Sequence, residues 1–180
     1  AKLQIDQSLE TLRTFDNHAQ VATPVHSPDG RYLAASIWER GQRDIVVLNA
    51  DGSHYRTVTN DDAHDMDPAW SADGRWLYFS SDRDSIFNIY AVELETESVY
   101  RVTNVLGGAF HPAPRPDGTE LAFESFSHNG MDVVRMPLAL DEWVSVEPLL
   151  RAEDDGPLSA TQSLEKDPSP PPAEAIPLPS

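Results

Sequence analysis

Between residues 67 and 103, apolar side chains gather into four short runs separated by turn-forming residues. Asp67-Pro68-Ala69-Trp70-Ser71 reads as a short strand, and Arg75-Trp76-Leu77-Tyr78-Phe79-Ser80 as a second, rich in aromatics. Phe87-Asn88-Ile89-Tyr90-Ala91-Val92 and Ser98-Val99-Tyr100-Arg101-Val102-Thr103 follow as a third and a fourth. Aromatic and β-branched enrichment between turn residues favours strands over helices. Ser71-Ala72-Asp73-Gly74 joins the first two runs, where an earlier stretch has Ser27-Pro28-Asp29-Gly30. Proline second and glycine fourth is type I turn chemistry, with glycine taking the positive φ that rejoins a hairpin.

The whole pattern recurs. Pro24-Val25-His26-Ser27-Pro28-Asp29-Gly30, Pro68-Ala69-Trp70-Ser71-Ala72-Asp73-Gly74 and Pro112-Ala113-Pro114-Arg115-Pro116-Asp117-Gly118 are spaced by 44 residues without a gap. Asp44, Asn88 and Asp132 keep the same step, each followed by an apolar pair, and so do Val58, Val102 and Val146. A fixed period in the 40s with four short strands per unit is the signature of a propeller blade. The expectation is an all-β partial β-propeller, with four-stranded antiparallel blades repeating every 44 residues. Residues 2–15 would form half a blade, and 23–59, 67–103 and 111–150 three more, giving an open arc of about three and a half blades. In the third blade the closing strand would be Trp143 to Leu150.

The prolines say which strand is innermost. Pro112, Pro114 and Pro116 alternate, so their missing N–H groups fall on one side, and Pro24, Pro28 and Pro68 share that phase. Only a strand with a free edge tolerates this, which assigns the first strand of each blade to the central channel. Too few blades are present to close a ring, and Ala1 is not a start methionine. The chain is therefore expected to be a processed form or an excerpt lacking blades on its N-terminal side. Its two terminal blades should each expose an apolar face, making the arc alone poorly stable or self-associating.

Composition narrows the function. Thirteen basic against thirty acidic residues give a net charge of −17, which disfavours nucleic acid and anionic membrane surfaces. The absence of cysteine excludes disulfides and thiolate metal sites. Residues 151–180 hold seven of the fifteen prolines, six acidic and two basic residues, and read as a disordered acidic tail or linker. No run is long and apolar enough to span a bilayer as a helix.

The unit Pro-x-Trp-Ser-x-Asp-Gly-Arg-x-Leu-x-Phe-x-Ser, with Asn-Ile-Tyr-x-Val and Arg-Val-Thr after it, resembles the β-propeller repeat of the TolB family. The resemblance covers roughly residues 2–150 and is closest from Pro68 to Thr103. His26 and Pro114 stand where the second copy has Trp70, and Thr119 replaces Arg75. The resemblance implies a non-catalytic, periplasmic or otherwise extracytoplasmic binding module of a bacterial envelope protein, engaging a protein or peptide. Similar repeats also form the substrate-gating propellers of serine peptidases of the prolyl-oligopeptidase and tricorn types, which is the alternative reading.

No Gly-x-Ser-x-Gly elbow, His-Glu-x-x-His motif or phosphate-binding glycine loop occurs, and Ser163-Leu164-Glu165-Lys166 falls in the tail with no partner motif. The chain is read as a non-enzyme without a cofactor. Candidate partner-binding residues lie in the loops expected round the channel mouth. The densest group is Asp61, Asp62, His64, Asp65 and Asp67, a solvated loop capping its own backbone or a set of oxygen ligands for calcium. The loops between second and third strands add Trp38, Arg40, Arg83, Asp84, Phe126 and His128, and the next inter-blade loop adds Phe110 and His111. Trp38, Phe110 and Phe126 are either aromatic anchors for a partner or packing between blades.

Overall fold

A computed structural model of the chain describes residues 10–15, 18–39 and 41–146. Among them twelve strands form three antiparallel sheets, and the one helical turn is a 3-10 turn at Leu140–Glu142. The first sheet holds β1 (Gln20–His26), β2 (Tyr32–Glu39), β3 (Gln42–Asn49) and β4 (Arg56–Thr57) in that order. The second holds β5 (Asp65–Trp70), β6 (Trp76–Ser81), β7 (Asn88–Glu93) and β8 (Val99–Arg101). The third holds β9 (Ala109–Pro114), β10 (Glu120–Ser127) and β11 (Gly130–Pro137), and the last strand is β12 (Val144–Val146). The three sheets are stacked propeller blades, and β1, β5 and β9 neighbour one another across them along the channel side.

The repeated Ser-x-Asp-Gly turn is stapled by its own side chains. Ser71 Oγ donates to Asp73 Oδ1 at 2.5 Å and accepts from the Trp76 N–H at 2.9 Å, while the Arg75 N–H donates to the same carboxylate oxygen. Ser27 and Asp29 repeat this arrangement in the first blade. The third blade has Arg115 in place of the serine, and there Thr119 supplies the hydroxyl, donating to Asp117 Oδ1 at 2.6 Å. Replacement of Arg75 by Thr119 thus compensates for the lost serine. All three carboxyls are held below the ordinary carboxylate range, first of all by these hydroxyl donors.

Alternation along β6 and β7 divides the core in two. Leu77, Phe79, Tyr90 and Val92 point at the first blade, meeting Ala34, Ile45, Val47 and Val58. Trp76, Tyr78, Ile89 and Ala91 point the other way, meeting Ala109, Leu121 and Phe123 of the third blade. Every residue of β6 and β7 is buried. Burial of one large apolar side chain contributes about 1.5–3 kcal/mol, so the central blade carries most of the stacking energy. Trp70 ties the seam further, donating from its indole nitrogen to the Val25 carbonyl at 3.2 Å and stacking on Tyr32.

Two terminal expectations are corrected. Residues 10–15, expected to end a strand, form none. They run instead across the open face of the first blade, where Phe15 packs with Ala35, Ile37, Val46 and Tyr55. Arg13 lies over the Tyr55 ring and donates to the Gly52 carbonyl at 3.4 Å. Gly52 permits this crossing, since a Cβ there would stand 2.0 Å from the Leu12 carbonyl oxygen.

At the other end, the strand expected to close the third blade does not pair with β11. It adds to the outer edge of the second blade, with Val144, Ser145 and Val146 opposite Arg101, Tyr100 and Val99 of β8. The cause is Trp143, only 9% exposed, whose ring meets Trp76, Tyr78 and Tyr100 edge-on or tilted. Large aromatic area gained on blade 2 outweighs a short ladder on β11. The far face of the third blade stays open, with Phe126, Met131 and Val133 exposed beside an Arg115–Glu120–Arg135 ion cluster. The rest of the expected half blade, residues 147–150 and the proline-rich tail lie outside the described residues.

Truncating Trp143 tests the displaced strand. Trp143→Ala should cost about 3 kcal/mol in urea unfolding. Trp143→Phe should stay within about 1 kcal/mol, because it keeps most of the packing and removes a buried indole N–H that has no partner. Val133→Ser, on the open face of edge strand β11, should change stability by less than about 0.5 kcal/mol. A large loss at Val133 with none at Trp143 would contradict the observed pairing.

Candidate binding face

The loops after second and fourth strands meet at one end of the stack. The His64 N–H donates to Asp82 Oδ1 at 2.7 Å, linking the loop before β5 to the loop after β6. Phe126 N–H donates to the Gly108 carbonyl at 2.8 Å, linking the corresponding segments of the third blade. Beneath them, a latch repeats in the first two blades. Thr59 and Thr103 accept the N–H groups of Ile45 and Ile89, and turn their hydroxyls toward Asp44 and Asn88.

Most of the acidic loop serves the fold. Asp65 is fully buried, and its two carboxylate oxygens take Arg83 Nη2 at 3.0 and 3.2 Å. Arg83 Nη1 also reaches Asp61 at 3.3 Å, and its guanidinium lies over the Tyr90 ring at 4.8 Å. Asp61 caps its own loop by accepting from the Ala63 N–H at 2.9 Å. Asp84 takes the Tyr90 hydroxyl at 2.7 Å and Arg101 at 2.8 Å, and these hold its carboxyl below the ordinary range, the tyrosine contributing most. A shallow cavity of about 470 Å³ remains above, lined by Asp61, Asp62, Asp82, Arg83 and Ser85. Among the described residues no three His, Asp or Glu side chains converge as metal ligands.

The aromatic candidates divide in the same way. Trp38 packs edge-on against His64 at 5.3 Å with Arg43 over its ring, and Phe110 packs on Phe87 at 4.9 Å. Phe126 is 49% exposed, His128 and Asp62 are exposed, and Asp62 accepts from Gln42 Nε2 at 3.2 Å. Arg40 lies outside the described residues. Leu106, not singled out from sequence, stands 94% exposed in the loop before β9. Gly107 beside it passes against the Phe126 backbone, closer than any Cβ would allow.

Asp67 and His111 are brought together across the gap between blades, with His111 Nε2 3.5 Å from Asp67 Oδ1. His111 Nδ1 lies 3.3 Å from Glu124. Glu124 and Thr23 were not legible as site residues, because neither belongs to a polar cluster in the sequence.

Stacked antiparallel blades at a 44-residue step, with loops gathered at one end, define a β-propeller of the repeat-array kind. The family model described as the TolB beta propeller domain matches residues 4–159, and the chain belongs to that family. An uncharacterised protein of Agrobacterium fabrum is 31% identical over 115 residues, 64% of this chain and 38% of that one. The Tol-Pal system protein TolB of Francisella tularensis is 31% identical over 80 residues, 44% of this chain and 18% of that one. Among solved structures, a putative TolB from Agrobacterium tumefaciens superposes with a TM-score of 0.60 at 26% identity, covering 67% of this chain and 46% of that one. The chain thus spans less than half the length of these relatives.

Asp44 sets a pH dependence. Burial first, then the nearby Asp65 and Asp61 charges, push its carboxyl from 3.8 up to about 7. The folded form therefore keeps a proton that the unfolded chain releases near pH 4. Asp44's contribution is complete below that pH and is lost as pH rises through about 7. Asn88 occupies the equivalent place in blade 2, accepting from Thr103 and Val105 without any charge. Asp44→Asn should leave stability unchanged at pH 4 and raise it by roughly 1–2 kcal/mol at pH 8, after allowance for partial solvent screening. Urea unfolding at the two pH values checks this, and an equal effect at both would contradict it.

Proposed function

We propose that the chain is a non-catalytic propeller module that engages a protein or peptide partner through its channel-mouth loops, outside the cytoplasm in a bacterial envelope. The observation that carries this reading is the contrast between scaffold and loops. Turns and latches repeat at 44-residue steps, whereas the mouth presents unlike residues, among them Asp62, Leu106, Phe126 and His128. A constant scaffold with variable exposed loops is how repeat proteins build recognition surfaces. Kinship with proteins named for the Tol-Pal system supports the envelope setting. The acidic balance favours a partner with basic groups.

Capture from bacterial envelope extract tests the reading. The chain should retain a defined partner, and Leu106→Ser with Phe126→Ala should weaken that retention at least about tenfold, the loss expected for a central apolar contact. Glu95→Gln, in the turn between β7 and β8 at the opposite end, should change nothing. No partner, together with turnover of a small substrate by the chain itself, would contradict the proposal. A Ser/Asp/His hydrolase domain in the same reading frame would redirect it to the peptidase-gating alternative.

A further inference from the structure

The channel strands share a feature that neither the blade packing nor the mouth loops require. Each of β1, β5 and β9 is bulged against its neighbour at the same repeat position. Thr23, Asp67 and His111 occupy these bulges with φ of 50, 57 and 50°, and each precedes a proline: Pro24, Pro68 and Pro112. Left-handed backbone is unfavourable for any residue with a Cβ. Glycine would relieve it at all three, yet three different polar side chains stand there. They border one cavity of about 230 Å³, whose remaining wall is Val25 and the three prolines.

Within this cavity the charges do not balance. Asp67 is only 10% exposed, and its Oδ2 is buried without any hydrogen-bond partner. Oδ1 faces His111 Nε2 at 3.5 Å, but that imidazole is shared, its Nδ1 being turned to Glu124 Oε2. One imidazole between two carboxylates leaves a surplus of negative charge, and neither lysine nor arginine lines the cavity. The prolines offer no N–H to the wall, so the backbone there cannot supply the missing donor. A buried carboxylate oxygen left unmet is costly, and its natural complement is a positively charged donor.

We propose that this cavity binds a primary ammonium group, as on a lysine side chain of a bound peptide, with Asp67 as its acceptor. The ammonium supplies a charge-assisted hydrogen bond to the Asp67 carboxylate, which borders the cavity. Thr23 Oγ1, whose contact to Ser36 is long at 3.4 Å, is the second acceptor. The pyrrolidine rings and Val25 cover the alkyl stem, a division of labour that suits lysine's apolar stem and point charge. Calcium would need six to eight oxygen ligands, and the described residues gather no such set. The identity of the natural occupant rests on the partner-binding reading above, but the subsite itself is testable with a small probe.

The experiment is a titration of the 180-residue chain with Nα-acetyl-lysine methylamide, followed by the backbone amide resonances of Thr23, Asp67 and His111. Saturable shifts at all three are expected, with none from the norleucine analogue, which has the same stem length and no charge. Asp67→Asn should weaken binding at least about tenfold, the loss of one charge-assisted bond. Asparagine tolerates positive φ, so the bulge survives, and unmoved amides in β6 and β7 would verify the fold. The proposal is overturned by absence of saturable shifts, by equal shifts from norleucine, or by unchanged affinity in Asp67→Asn. Calcium chloride producing the same shifts at lower concentration would also overturn it, in favour of a metal site. Failure here with partner capture intact removes only the subsite. Lysine binding without any captured partner removes only the broader reading.

Discussion

Everything in this chain depends on a sheet buried on both faces. β6 and β7 expose no side chain, because their even and odd positions feed two separate cores. A lone four-stranded sheet could not do this; it would leave both faces in water. The first and third blades each supply one cover, and Trp143, beyond the third blade in sequence, completes the second core. Stability is therefore unequal along the arc. The central blade is covered twice, while the outer blades are covered once and finished with improvised material.

The same constraint explains the displaced β12. A closing strand usually completes its own blade, but here the nearest large aromatic surface lies on blade 2, where Trp76, Tyr78 and Tyr100 leave room for one more ring. Residues 10–15 obey similar logic at the first blade, where Phe15 and Arg13 cover apolar surface without joining the sheet. The first blade is thus covered in part by packing without strand pairing, whereas β12 pairs with β8 and leaves the far face of the third blade open. On the open face of the third blade, Phe126, Met131 and Val133 remain exposed, interrupted by ion pairs.

The sequence made the architecture legible because repetition multiplies weak signals. Ser-x-Asp-Gly turns, apolar pairs after Asp44 and Asn88, and prolines in the channel strands all recur at one spacing. It did not reveal partner choice at the edges, since Val144 to Val146 has the same pattern whether it pairs with β8 or β11. At the site, the dense acid loop drew attention that its structure redirects inward: Asp61 and Asp65 hold Arg83, and Arg83 packs on core aromatics. A cluster in sequence shows that charges are close, not that they face solvent. Conversely, Thr23, Asp67 and His111 lie far apart in the chain, Asp67 at the end of the acid loop, and meet only because the blades stack in register. Their shared phase, 44 residues apart, was the signal that could have found them.

Amide hydrogen exchange measured residue by residue tests the stacking most directly. Doubly covered strands should open only with global unfolding, whereas singly covered ones should open by local routes. The account predicts the slowest exchange at Leu77, Phe79, Tyr90 and Ala91, with faster exchange in β1 and β11. Uniform protection across the three blades, or the slowest exchange in β10 and β11, would contradict a fold organised around the central blade.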